Sequence, residues 1–136
     1  CLYASAVSGE SQSIEITEET LMAGLSCGEV SLLAWESLAE GADDFLTIPE
    51  SLVAPTMRLL ARSPFGDAAV TAGESAVAGL AAAIAAARSP TLGEALRLDG
   101  KSRVLAIGTE GVAPVLAQRV KTLAESFLSS ATGRSV

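Results

Sequence analysis

The spacing of apolar positions along this chain changes several times, and each change predicts an element. Residues 13–17 (Ser-Ile-Glu-Ile-Thr) alternate polar and apolar side chains, the period of a strand with one face buried. Residues 45–48 (Phe-Leu-Thr-Ile) form a short apolar run between Asp43-Asp44 and Pro49, which predicts a buried strand. Residues 68–70 predict another short strand, and residues 102–107 (Ser-Arg-Val-Leu-Ala-Ile) the clearest one. Residues 1–7 are apolar with one aromatic and fit a strand or a short helix ahead of the Ser8-Gly9 turn. Residues 17–20 read as a solvated turn.

Helical spacing appears between these runs. Residues 29–39 carry a stripe of Val30, Leu33, Ala34 and Leu38, with Trp35 packing beside it and Gly41 ending the helix. Residues 50–62 place Leu52, Val53, Met57 and Leu60 inward. Pro55 should cost that helix a backbone hydrogen bond or shift its start. Ser63-Pro64-Phe65-Gly66 closes it. A short helix over 90–98 has Pro at its beginning and precedes an Asp99-Gly100 turn. A last helix from about 112 shows Val112, Leu116, Val120, Leu123 and Phe127 on one side.

The stretch 71–87 organises the rest. A tight polar turn, Ala72-Gly73-Glu74-Ser75, leads into a helix of almost uniformly small apolar residues. Alanine is the best helix former, so the helix is strongly predicted. A helix apolar on every face must be covered on most sides. It is shorter than the roughly 20 residues a bilayer span needs. Strand and helix alternating through short glycine-rich joins predict an α/β fold: a three-layer, Rossmann-like piece with a parallel sheet. Residues 1–128 read as a single domain and 129–136 as a disordered tail.

Composition narrows the functions. Of 136 residues, 49 % are hydrophobic and 18 % charged, enough for one modest core. A net charge of −7 with scattered cations makes a poor nucleic-acid binder. Without histidine, the two cysteines, Cys1 and Cys27, offer no zinc set. Two cysteines and no signal-like segment predict a cytoplasmic protein without a disulfide framework. The first residues, Cys1-Leu-Tyr-Ala-Ser, read as the interior of a longer chain.

Ligands of open parallel sheets sit beyond the carboxyl ends of the strands. Three loops have the composition for that edge: 24–29, 72–75 and 108–111. Each pairs glycine with hydroxyl or carboxylate groups. Two readings stand for each. Gly108-Thr109-Glu110-Gly111 is a strand-to-helix turn or a cofactor loop, and Glu110 argues against a phosphate there. Glu74 either accepts hydrogen bonds from first-turn amides or lines a site. Cys27 reads as a small buried residue. Glu29 reads as a first-turn charge, and Glu18-Glu19 and Asp43-Asp44 as solvated pairs.

The same loops carry a resemblance. Gly73-Glu-Ser-Ala-Val-Ala-Gly-Leu80 resembles the Gly-Glu-Ser-Gly-Ala-Val-Gly-Leu segment of the diaminopropionate ammonia-lyases, which are fold-type-II enzymes dependent on pyridoxal phosphate (PLP). Met22-Ala-Gly-Leu-Ser-Cys-Gly-Glu-Val-Ser31 resembles their Met-Ala-Gly-Leu-Ala-Cys-Gly-Glu-Pro-Ser. Ile107-Gly-Thr-Glu-Gly111 resembles their Ser-Thr-Glu-Gly loop. The three motifs stay in register to about Phe127.

The resemblance implies a C-terminal piece of the large domain of such an enzyme, acting on a small amino-acid substrate, with no nucleic-acid or membrane partner and a homodimeric assembly. It implies removal of ammonia from 2,3-diaminopropionate to give pyruvate. It assigns Glu74, Gly108 and Thr109 to the cofactor and Ser26, Cys27, Glu29 and Glu110 to the substrate pocket. Gly108 replaces the family's hydroxyl residue, so the hydroxyl for the pyridine nitrogen is missing unless Thr109 takes the role. No catalytic residue falls in this stretch: neither Lys101 nor Lys121 resembles the cofactor-bearing lysine segment, so the segment alone should be inactive. The alternatives are another fold-type-II enzyme, such as a serine or threonine dehydratase, or a non-catalytic binding module of the same fold. No metal is implied.

Overall fold

A computed structural model of the chain describes residues 1–111. The helix expected from 112 and the tail expected at 129–136 lie outside the described residues. Five α-helices occur in chain order: α1 (Leu2–Ser8), α2 (Leu32–Gly41), α3 (Val53–Arg62), α4 (Ala78–Arg88) and α5 (Pro90–Ala95). Single 3₁₀ turns at Ala23–Leu25 and Glu50–Leu52 join them.

Local chemistry explains most boundaries. The first segment is a helix, not a strand, and ends where Gly9 takes φ 80°. Ser31 caps α2 by accepting from the Ala34 amide at 3.4 Å, so α2 starts three residues later than expected. Pro55 is the third residue of α3, where its missing N–H would have been unpaired anyway. It therefore shifts the start, as a 3₁₀ turn ahead of Val53, without costing a bond. Ser63 ends α3 in the left-handed region at φ 43°, with its hydroxyl donating to the Asp67 carbonyl and carboxylate. Ser89 caps α5 through the Leu92 amide, with Pro90 in the first helical position.

The core lies where α3 meets the turn before α4. Val53 and Val77 are fully buried beside Met22, with Ile48, Met57, Leu60, Ala72 and Ala78 against them. The inward face expected for α3 is the one observed. Thr56, also buried on it, satisfies its hydroxyl by donating to the Leu52 carbonyl at 2.7 Å.

The sheet is where expectation and structure part. No strand occurs among the described residues. Residues 13–17, 45–48, 68–70 and 102–107 have strand-like patterns but form no ladder. The Ile14 amide bonds the Gly28 carbonyl at 2.8 Å and the Val70 amide the Leu60 carbonyl at 3.1 Å, and pairing goes no further. Alternation sets which side chains face together, but a strand exists only when a neighbour supplies the opposite donors and acceptors. Coverage of the helices is likewise partial. Leu32 and Leu33 on α2 are 71 % and 77 % exposed, so the stripe drawn for α2 is not a buried one. On α4 only Ala81 and Ala86 are buried, against the expectation of cover on most sides. Trp35 does pack, tilted against Phe45 at 6.4 Å between ring centroids.

Candidate functional site

Two of the three glycine-bearing loops converge fully, and the third touches them through one residue. Residues 106–111 run in the opposite direction past the start of α4. Ala106 approaches Gly79, Gly108 lies against Ala76, and Gly111 lies against Gly73. The contact is too close for side chains on the glycines. A Cβ added to Gly73 would lie 2.5 Å from the Gly111 carbonyl oxygen and 2.9 Å from Glu110 Oε2. One added to Gly108 would lie 3.0 Å from the Ala76 carbonyl oxygen. Glycine is used at these positions for approach, since neither has a positive φ.

Hydrogen bonds then lock the junction. The Ser75 amide donates to Glu110 Oε2 at 2.9 Å, and the Gly73 amide to the Glu110 backbone carbonyl at 3.1 Å. The Gly24 amide donates to Ser75 Oγ at 3.1 Å, which ties in the 3₁₀ turn 51 positions away in sequence. Residues 74–77 form a turn and α4 begins only at Ala78, so Glu74 precedes the helix. The Ser75 amide is taken by Glu110, and Glu74 is 6 % exposed with Oε2 meeting no hydrogen-bond partner among the described residues. A buried carboxylate oxygen without a donor is costly and marks a place where a donor belongs.

The remaining expected site residues are placed less centrally. Thr109 is exposed beside the junction. Glu110 is half-buried, with one carboxylate oxygen already engaged. Ser26 donates to Glu19 Oε2 at 2.8 Å, so Glu19 is a partner and not merely a solvated charge. Cys27 is exposed, contrary to the buried position expected, because it lines an open cleft with residues 14–18 and not the core. Ser26 and Cys27 line a 260 Å³ cleft with Cys1, Ile14, Thr17 and Glu18. Glu29 is exposed and lies outside the first turn of α2. The sequence pattern missed Ser75, whose amide and hydroxyl link all three loops. Its place between the turn and the helix was the only signal.

The shifted carboxyls lie elsewhere. The Thr20 hydroxyl, and next the Leu21 amide at 2.6 Å, hold Glu50 below the usual carboxylate range. The Lys101 amide and then the Ser102 hydroxyl do the same for Asp99 in its expected turn.

Known proteins resemble this chain. No protein-family model matches the chain. A diaminopropionate ammonia-lyase of Escherichia coli K12 is 38 % identical over 115 residues, which is 82 % of this chain and 29 % of the relative. The lyase of Salmonella typhimurium is 33 % identical over 117 residues, with the same shares covered. The crystal structure of the E. coli lyase in complex with D-serine superposes with a TM-score of 0.74 at 34 % identity, over 88 % of this chain and 30 % of that one. This chain is homologous to a segment of the diaminopropionate ammonia-lyases. It spans less than a third of their length. Among the described residues no helix is long and apolar enough to cross a membrane.

Proposed function

We propose that this chain is one wall of the cofactor and substrate site of a PLP-dependent ammonia-lyase acting on 2,3-diaminopropionate. The observation that carries the proposal is the meeting of residues 73–76 with 108–111 around a buried Glu74 Oε2 that has no donor among the described residues, in a chain homologous to such lyases. The donor set fits one side of the cofactor. Glu74 Oε2 is an acceptor awaiting a protonated nitrogen, and Thr109 offers a hydroxyl for the ring nitrogen beside a glycine, Gly108, that lets other groups approach. It does not fit the phosphate or the covalent anchor. The described lysine, Lys101, is exposed in the turn after Asp99, and among the described residues no Lys or Arg falls within 73–76 or 108–111. When bound, PLP supplies an electron sink for the α-carbon of an amino acid.

The chain's own residues do the rest of this wall's work. Glu74 presents negative charge in a water-poor position, where it would attract an ammonium more strongly than a solvated carboxylate does. A substrate with two amines has one to spare for it. Thr109 as a neutral partner leaves the ring nitrogen free to stay unprotonated, which suits elimination. Among the expected pocket residues, Cys27 and Glu29 sit away from the junction.

The large domain of fold-type-II enzymes would supply the strands that 102–107 lacks here. Val104, Leu105 and Ile107 are 59 %, 87 % and 77 % exposed, which supports such a neighbour.

The test is the full-length protein with diaminopropionate. Pyruvate and ammonia should appear, with visible absorbance from bound PLP, and Glu74→Gln should raise KM for diaminopropionate. Turnover of serine or threonine with none of diaminopropionate would make it a dehydratase. No bound cofactor would make it a non-catalytic module.

A further inference from the structure

The proposed function places ligand-facing groups on Glu74 and Thr109, and both depend on a residue that it gives no role. We propose that Glu110 is a positioning residue, which fixes the Glu74 and Thr109 loops against each other and, through Ser75, against the loop bearing Gly24. This rests on the reading of the site given above. The geometry is specific. Two amides bracket Glu74, those of Gly73 and Ser75, and Glu110 accepts from both, with its backbone carbonyl at 3.1 Å and its carboxylate at 2.9 Å. Glu74 is therefore held from either side by one residue, which is itself bonded in sequence to Thr109. The Ser75 hydroxyl passes the constraint on by accepting from the Gly24 amide.

Space enforces the same arrangement. The Glu110 side chain fills part of the room that a side chain at Gly73 would need, since an added Cβ would stand 2.9 Å from its Oε2, while one at Gly24 would stand 2.9 Å from the Ser75 Oγ that Glu110 helps to place. Glu110 thus acts as an acceptor and a filler, with carboxylate oxygen Oε2 spent on an amide. That separates it from a substrate-binding carboxylate, which would need its charge facing the ligand. Glutamine has nearly the same shape and a carbonyl acceptor, so it should replace Glu110. Alanine has neither.

The experiment compares wild type, Glu110→Gln, Glu110→Ala and a control, Glu50→Ala, in the full-length lyase. Glu50 makes a similar carboxylate-to-amide bond, to Leu21, away from the junction. Amide hydrogen exchange is read at Gly24, Gly73 and Ser75, and PLP affinity by absorbance titration. Loss of one charge-assisted bond predicts cofactor affinity about tenfold weaker in Glu110→Ala, with faster exchange at all three amides. Glu110→Gln should stay within about threefold of wild type, on the scale of a charged against a neutral acceptor. Glu50→Ala should lower the melting temperature and leave affinity and all three amides unchanged.

If Glu110→Gln is as impaired as Glu110→Ala, with KM for diaminopropionate raised in both and cofactor affinity intact, Glu110 is a substrate carboxylate and the inference fails. It also fails if Glu110→Ala behaves as Glu50→Ala does. A wild-type protein that binds no PLP overturns the proposed function and this inference with it. Wild-type binding with unmoved exchange in Glu110→Ala overturns this inference alone.

Discussion

The junction of residues 73–76 with 108–111 and the stretch 102–107 that leads into it are built in opposite ways. The junction is closed by backbone amides, two carboxylate-bearing residues and glycines with no room for a side chain. The stretch is a row of large apolar side chains, with Leu105 87 % exposed and no strand beside it among the described residues. A junction of loops can largely form within one segment, because most of its donors and acceptors are at hand. A strand cannot, because its ladder belongs half to its neighbour. The junction is therefore the more complete of the two regions, with Glu74 Oε2 the buried acceptor that still lacks a donor among the described residues.

The comparison predicts different costs on its two sides, measured as urea unfolding of the full-length lyase. Leu105→Ala should cost the most, about 2–5 kcal/mol, if the rest of the enzyme covers this row as a core. A change within about 0.5 kcal/mol would make the row a true surface and undo the contrast. Gly73→Ala comes next, at about 1–3 kcal/mol, because its Cβ meets a carbonyl oxygen at 2.5 Å and the backbone must shift. It should also weaken cofactor binding, which Leu105→Ala should affect less; equal effects on cofactor binding would erase the distinction between the two regions. Thr56→Val, in the core beneath the junction, should cost about 1 kcal/mol through the lost bond to the Leu52 carbonyl.

The smallest effect is one of pH. The folded state holds Glu50 below its ordinary value of 4.5. Its contribution is then complete above that ordinary value and is lost as pH falls through the depressed folded one. Stability measured across the acid range should lose a small increment in wild type that Glu50→Gln does not lose. Parallel acid profiles for the two proteins would show that Glu50 contributes nothing.

How much could be read beforehand varies by element. The inward face of α3 was legible from Val53, Met57 and Leu60, because a helix makes its own hydrogen bonds and needs a neighbour only for its stripe. The glycines at 24, 73 and 108 were legible as sites of close approach, although not what approached them. Cys27 was misjudged as buried, since small apolar character says nothing about which surface a loop lies on. That Glu110 Oε2 accepts from the Ser75 amide, 35 positions earlier in the chain, was not legible from spacing.

By itself, the order of residues determined the helices after the first, to within a few residues, the turns at Gly9 and Asp99, and the three loops worth watching. All of these depend on neighbours within a few positions. Only the tertiary structure decided that the Glu74 and Glu110 loops would touch and that, among the described residues, Glu110 Oε2 would be bonded, Glu74 Oε2 left without a donor and the strand-like segments unpaired. Those outcomes depend on pairings between distant parts of the chain, and residue spacing does not specify a distant partner.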